Sequence, residues 1–159
     1  REAMAYARRN GLQGFSANQM MWSYAEVNPG SVGDKTMVLM DKPCMALHRE
    51  TGLPAIPYAS QAKGFFAILD AGGVDALDGG VRSMYYNPRN LRRYERAKEA
   101  AAALGVSVPA VALGYMISQR FTTVPVIGPI HTGQLLDSLR AGDLALDARI
   151  MAFLEGTAG

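Results

Sequence analysis

The hydrophobic pattern of the chain alternates between short apolar runs and longer stretches of helical periodicity. The short runs predict strands at residues 15–19, 53–58 and 123–127. The periodic stretches, bounded by Gly, Pro, Ser, Thr or Asp, predict helices at residues 1–10, 43–51, 88–104, 107–119, 132–141 and 147–155. Strands that alternate with helices indicate right-handed crossovers and a parallel sheet.

Two segments need a separate interpretation. Pro54 and Pro57 each remove a hydrogen-bond donor from the run at residues 53–58. We still predict a strand there, because the run is short, apolar and bracketed by a helix end and a polar loop. For residues 70–87 we predict a long loop without regular structure. Such a loop in a compact domain is often a lid.

The predicted order of elements fits two α/β architectures. Three parallel strands with flanking helices would leave exposed sheet edges, which free-standing proteins avoid. A doubly wound sheet fits the order, and so does part of a (β/α)8 barrel. A complete barrel needs about 250 residues, so a chain of 159 residues would be part of one. The chain starts at Arg1, in what reads as the middle of a helix, so we expect an upstream part to be missing.

Composition and charge exclude several classes of function. Hydrophobic residues make up 49% and charged residues 19% of the chain, and the net charge is +2. We therefore expect no nucleic-acid partner, and no membrane partner either, because no apolar run approaches the ~18 residues of a membrane span. The single cysteine, Cys44, excludes an internal disulfide and favours a reducing, cytoplasmic location. No spacing of His, Cys, Asp or Glu is typical of a metal site, and His48 is predicted to lie on a helix surface.

The stretch VPVIGPIHTGQLLDS at residues 124–138 combines an apolar run, the turn at Gly128 and Pro129, and a helix start at Thr132. Such a junction gathers unpaired N–H groups and the positive end of a helix dipole, which suits a phosphate group. An ordinary connection between a strand and a helix would show the same pattern. The junction alone therefore leaves both interpretations open.

Three further stretches can be read together with this junction. They are ANQMMWSYAEVN at residues 17–28, GLPAIPYASQAKGFF at residues 52–66 and SVPAVALGYMISQ at residues 107–119. In this order and spacing, the stretches resemble the C-terminal half of the aldo-keto reductases. The resemblance implies the C-terminal part of a (β/α)8 barrel, about strands six to eight. Residues 1–159 would then be a single incomplete domain whose N-terminal half is absent.

The resemblance also implies a reaction. An aldo-keto reductase moves a hydride from a nicotinamide cofactor to an aldehyde or ketone carbonyl. We expect NADP as the cofactor, with NAD possible, and a small-molecule carbonyl compound as the substrate. The family's catalytic Asp, Tyr, Lys and His lie on earlier strands. No catalytic residue is therefore expected in this chain, which alone should be inactive.

The same resemblance assigns residues around the nicotinamide end of the cofactor. Gln19 corresponds to the residue that hydrogen-bonds the nicotinamide carboxamide, a role for which an amide both donates and accepts. Tyr58 corresponds to the aromatic ring that stacks on the nicotinamide. Contacts to the pyrophosphate and ribose are implied for the loop residues Ala59, Ser60, Gln61 and Lys63. Trp22 is expected to line the substrate pocket.

At the adenosine end, the resemblance implies contacts from the turn and from the helix that follows it. The residues concerned are Gly128, Pro129, Ile130, Gln134, Asp137 and Ser138. Many family members carry an Arg or Lys near this turn, which pairs with the 2′-phosphate of NADP, whereas this chain has Ile130 and His131. A neutral His is a weak phosphate partner at pH 7, so this departure weakens the expectation of a strong preference for NADP.

Other functions stay open at this point. The chain could belong to a non-catalytic, nicotinamide-cofactor-binding regulatory subunit. It could also be a half-barrel that associates with itself through open sheet edges. Each polar residue assigned above could instead be an ordinary strand-end or helix-surface residue. A different barrel enzyme, or an α/β protein that is not a barrel, would fit the pattern of elements as well.

Overall fold

The computed structural model describes residues 1–157, and it consists mainly of helices joined by extended segments and turns. The helices are α1 (Glu2–Arg9), α2 (Lys42–Thr51), α3 (Phe65–Gly72), α4 (Gly79–Tyr85), α5 (Pro88–Leu104), α6 (Val108–Ile117), α7 (Thr132–Arg140) and α8 (Ala148–Glu155). Short 3-10 helices cover Ala62–Gly64, Val74–Ala76 and Ala141–Asp143.

Local sequence signals explain where most of these helices begin and end. Ser107 caps α6 by accepting the backbone N–H of Ala110, and Asp147 caps α8 in the same way. Gly105 ends α5 in the left-handed conformation that glycine adopts without strain. The predicted helices are confirmed at these positions.

Helix α6 lies at the centre of the core. Apart from Pro109 and Ile117, all of its residues are buried, as its apolar sequence predicts. It packs against α5 and α7. Tyr24 anchors the loop after residue 22 to this core. The centroid of its ring lies 4.8 Å from that of the Tyr115 ring, and its hydroxyl donates to the Leu154 carbonyl at 2.7 Å. No single helix in residues 1–157 is long and apolar enough to cross a membrane.

The predicted sheet is absent, and the predicted fold class is therefore wrong for this structure. Within the described range, no segment forms a strand. The extended segments meet only in isolated parallel bridges, which join Asn18 to Ala55, Met21 to Tyr58, Met21 to Leu39, and Ala55 to Thr123. The expected C-terminal part of a (β/α)8 barrel, with strands six to eight, is replaced by a mainly helical arrangement.

Pro57 is one physical reason for the interruption. The Ala55 N–H donates to the Thr122 carbonyl, and the Val124 N–H donates to the Ala55 carbonyl, both at 2.9 Å. Further along, the Val126 N–H donates to the Pro57 carbonyl at 2.9 Å. A continuous ladder would need residue 57 to donate to the Val124 carbonyl between these bonds, and proline has no N–H. The pairing of the two segments is therefore broken in the middle.

Residues 70–87 do not form the long loop without regular structure that was predicted from the sequence. They contain the end of α3, the 3-10 helix Val74–Ala76 and helix α4. Leu77, Val81 and Tyr85 are buried in the core. Asp78 caps α4 by accepting the backbone N–H groups of Gly80 and Val81. The aspartate cap and the buried side chains order this segment, and the prediction of a long loop is wrong.

His48 is buried rather than exposed on α2, which corrects a second expectation. Its ring stacks on Phe121 with centroids 5.1 Å apart. Its Nδ1 lies 2.6 Å from the Leu53 carbonyl and its Nε2 lies 3.3 Å from the Asn18 side-chain amide. Because a carbonyl only accepts, Nδ1 carries the proton and Nε2 accepts from Asn18. His48 thereby joins α2 to two of the extended segments.

Tyr85 is a source of pH sensitivity in the core. It is fully buried, and within residues 1–157 its hydroxyl has no hydrogen-bond partner. Burial raises the pKa of Tyr85 to about 12 from an ordinary value of 10.0. Burial also raises the pKa of Tyr115 to about 12, with a further contribution from the charge of Glu155.

We predict that the free energy of unfolding falls as the pH rises from 10 to 12. In that window the folded state keeps the phenol protons that the unfolded chain releases, so the unfolded chain binds fewer protons and gains stability. Tyr85→Phe should remove up to about 3 kcal/mol of this loss and leave stability at pH 7 unchanged or slightly raised. Urea unfolding at several pH values measures both effects. The exposed neighbour Tyr86 supplies the control variant, Tyr86→Phe, and an unchanged pH dependence in Tyr85→Phe would contradict the prediction.

Candidate functional site

A groove of about 730 Å³ lies between the loop after residue 58 and helix α7. One wall consists of residues 59–67, and the other consists of the turn at residues 126–131 and the first turns of α7. The buried helix α6 forms its base through Pro109, Ala112 and Leu113. This volume lies in the range of about 300–1,000 Å³ that is usual for small-molecule and cofactor sites.

The first wall is a strained loop. Ala59, Ala62 and Lys63 have φ angles of 53°, 50° and 52°, although none of them is a glycine. The left-handed conformation costs an L-residue roughly 1–2 kcal/mol. The Ser60 hydroxyl holds the loop in place by donating to the Val126 carbonyl at 2.6 Å. Residues in such conformations often cluster at ligand-binding sites, so the loop is a candidate for ligand binding.

The second wall includes the N-cap of α7, which was not predicted from the sequence. His131, not Thr132, caps α7, since its Nδ1 accepts the backbone N–H of Gln134 at 3.3 Å. The Gln134 side chain also contacts the turn, because its Oε1 accepts the Ile130 N–H at 2.9 Å. The i to i+3 spacing of His131 and Gln134 resembles that of a capping box, but histidine is not among the preferred capping residues.

A side-chain hydrogen bond joins the two walls. The Gln61 Nε2 donates to the Ser138 Oγ at 3.0 Å, and that hydroxyl donates to the Gln134 carbonyl at 2.8 Å. Ser138 is buried and Gln61 is half-buried, so the contact is partly shielded from water. It fixes the separation of the two walls.

Each wall carries one charged side chain without an oppositely charged partner. Within residues 1–157, neither Lys63 on the loop nor Asp137 on α7 forms an ion pair within 4.0 Å. Asp137 is instead held by a neutral donor, the Ser107 hydroxyl, 2.6 Å from its Oδ2. The groove therefore presents one positive and one negative charge from opposite sides.

Most of the residues predicted for the cofactor site line this groove. They are Ala59, Ser60, Gln61, Lys63, Gly128, Ile130, Gln134, Asp137 and Ser138. His131 and Gly133 also line it, and the sequence analysis had not assigned them to the site. Gly133 lies directly against the His131 ring, since a Cβ at residue 133 would be 3.2 Å from the His131 Nδ1.

The structure places four other predicted residues outside the groove. Gln19 is exposed and lines a separate cavity of about 920 Å³, together with residues of α1. Trp22 lines a third cavity and lies 6.1 Å from Phe121, measured between ring centroids. Tyr58, which directly precedes the loop, is half-buried against the main core. Pro129 lies within the turn but does not line the groove. The roles of these residues stay predictions.

No metal centre is formed by the part of the chain that the structure describes. Within residues 1–157, no group of three His, Cys, Asp or Glu side chains could hold a metal ion. Cys44 is half-buried, and burial raises the pKa of its thiol, with a further rise from the charge of Asp41.

Comparison with known proteins identifies the family. The model of the aldo/keto reductase family matches residues 3–157, and the chain belongs to this family. A search of curated protein sequences found no match. Among solved structures, the chain is similar to a thermostable aldo-keto reductase in complex with the inhibitor epalrestat, with a TM-score of 0.52 and 13% sequence identity. The match covers 98% of this chain and 53% of the other, so the chain spans about half the length of that relative.

We predict different stability changes for two alanine-to-glycine variants. Ala59→Gly relieves the left-handed strain, so its free energy of unfolding should stay unchanged or rise by up to about 1 kcal/mol. Ala67→Gly lies in α3, where glycine should lower stability by about 1 kcal/mol. Urea unfolding of both variants at pH 7 measures the difference. Equal destabilisation by the two changes would show that residue 59 carries no strain.

Proposed function

We propose that this chain is the cofactor-binding part of an oxidoreductase that reduces aldehyde or ketone carbonyls with a nicotinamide cofactor. The cofactor would be NADP, with NAD possible. The observation that carries the proposal is the groove itself. In a member of the aldo/keto reductase family, two segments far apart in sequence, residues 59–67 and residues 126–138, form the two walls of one cavity.

The size of the groove and its polar lining support this proposal. Its volume of about 730 Å³ lies within the range of about 300–1,000 Å³ that is usual for cofactor sites. Lys63 supplies a positive charge that no acidic side chain neutralises within the described residues, so it can pair with a phosphate. The opposite wall offers polar side chains, among them Gln134 and Asp137, for the hydroxyl and amino groups of an adenosine.

Each segment would hold a different part of the cofactor. Residues 59–63 would hold the pyrophosphate and the neighbouring ribose, and residues 128–138 would hold the adenosine. Tyr58, directly before the loop, would place its ring against the nicotinamide. Gln19 and Trp22 stay proposals for the carboxamide and the substrate wall. When bound, the nicotinamide supplies the hydride, while the residues of this chain bind and orient it. We assign no catalytic residue to this chain.

The proposed partner is a small-molecule carbonyl compound, with no role for nucleic acid or a membrane. We place the protein in the cytoplasm, on the basis of its single cysteine.

The proposal is tested by isothermal titration calorimetry with NADPH and with NADH. We predict saturable binding, and we predict that Lys63→Ala weakens it about tenfold because a charge-assisted contact to phosphate is lost. Lys35→Ala is the matched control, because Lys35 is exposed and does not line the groove. Its affinity should equal that of the unsubstituted chain.

Two results would contradict the proposal. The first is that the folded chain binds neither nucleotide. The second is that Lys63→Ala and Lys35→Ala weaken binding to the same extent, which would indicate a general charge effect rather than a contact in the groove.

A further inference from the structure

We propose that the cavity lined by Trp22 binds a small carboxylate with an aromatic body. This cavity of about 1220 Å³ lies between helix α2 and the first half of helix α5, and we call it the Trp22 cavity. None of the residues that line it lines the groove between residues 59–67 and α7. It is therefore a second ligand site, beyond the one in the proposed function.

Arg93 on α5 supplies the Trp22 cavity with a positive charge that is fixed in position. Its Nη1 donates to the Tyr24 carbonyl at 2.6 Å, and its guanidinium carbon lies 5.3 Å from the centroid of the Tyr24 ring. Within residues 1–157, no acidic side chain lies within 4.0 Å of this guanidinium. Because Arg93 is half-buried and already oriented, its other N–H groups are placed to bind a carboxylate.

Two more cations line the same cavity. Lys42 lies in the first turn of α2, and Arg92 directly precedes Arg93 on α5. In the part of the chain that the structure describes, neither side chain has a carboxylate within 4.0 Å. Cations that line one cavity raise its electrostatic potential together, which attracts an anion.

Four acidic side chains also line the cavity, but three of them form ion pairs. The pairs are Glu26 with Arg89, Glu155 with Arg49, and Glu50 with Arg1. The fourth, Asp41, is the N-cap of α2 and accepts the Cys44 N–H at 2.8 Å. Three cations without an ion pair therefore line the cavity together with one such acid, which leaves an excess of positive charge.

The apolar part of the cavity suits an aromatic ring. Met21 and Tyr115 are buried, and Trp22 and Met45 are half-buried. The Tyr115 hydroxyl donates to Glu155 at 3.2 Å, so this hydroxyl is already used. An aromatic ring can pack on these side chains while a carboxylate on the same molecule pairs with the cations.

The test titrates the chain with phenylacetate and with its uncharged counterpart, phenylacetamide. Trp22 is the only tryptophan of the chain, so its fluorescence reports binding in this cavity. We expect saturable binding of phenylacetate, about tenfold tighter than that of phenylacetamide, because only the carboxylate pairs with the cations. Arg93→Lys keeps the charge but removes the planar guanidinium, so it should weaken phenylacetate binding about tenfold.

A second variant removes an exposed cation and keeps the test decisive if Arg93→Lys does not fold. Arg92 is exposed, and Arg92→Ala should weaken phenylacetate binding about threefold, the effect expected of an exposed ion pair. Arg140→Ala is the matched control, because Arg140 is exposed on α7 and does not line the cavity. Its affinity should equal that of the unsubstituted chain.

Three results would overturn the inference. The first is equal affinity for phenylacetate and phenylacetamide, and the second is that the folded chain binds neither compound. The third is that Arg92→Ala and Arg140→Ala weaken binding to the same extent, which indicates a general charge effect. A titration with NADPH separates this result from the proposed function. A chain that binds NADPH but not phenylacetate rejects the carboxylate site and leaves the proposed function intact, and a chain that binds phenylacetate but not NADPH does the reverse.

Discussion

The backbone pairing between residues 55–57 and residues 122–126 positions both walls of the groove. The loop with Ser60 directly follows one segment, and the turn that leads to α7 directly follows the other. Three backbone hydrogen bonds of 2.9 Å align the two segments in parallel, and the Ser60 hydroxyl extends the contact to the Val126 carbonyl. The loop and the turn therefore leave the paired segments at the same end, and the groove lies between the loop and the turn.

This alignment is maintained although Pro57 prevents a continuous ladder. Side-chain packing stabilises the alignment in place of the missing hydrogen bond. Ala55 is fully buried with Met20 and Phe121 in a small second cluster, and His48 stacks on Phe121 from α2. At the base of the groove, the buried helix α6 packs against both α3 and α7. Ala62 is fully buried in the main core, whereas its neighbour Lys63 is exposed.

The sequence predicted local features better than it predicted their assembly. The starts of α6 and α8 were predictable, because each is set by a local capping residue, Ser107 or Asp147. The break in the pairing of residues 55–57 with residues 122–126 depends on which neighbour Pro57 faces, and a sequence pattern does not contain that register. His48 was misplaced for a similar reason, since the partners that bury it, Asn18, Leu53 and Phe121, come from separate segments. The groove residues came from the family resemblance, whereas the His131 cap and the strained loop became visible only in three dimensions.

The central claim is that the groove between residues 59–67 and α7 binds the nicotinamide cofactor. The most direct measurement is a titration of the isotope-labelled chain with NADPH, followed by the NMR chemical shifts of its backbone amides. If the groove binds the cofactor, we predict that the largest shift changes occur at residues 59–64 and 130–138, while the amides of α8 stay unchanged. Large changes confined to residues 1–19, or no changes in a folded chain, would contradict it.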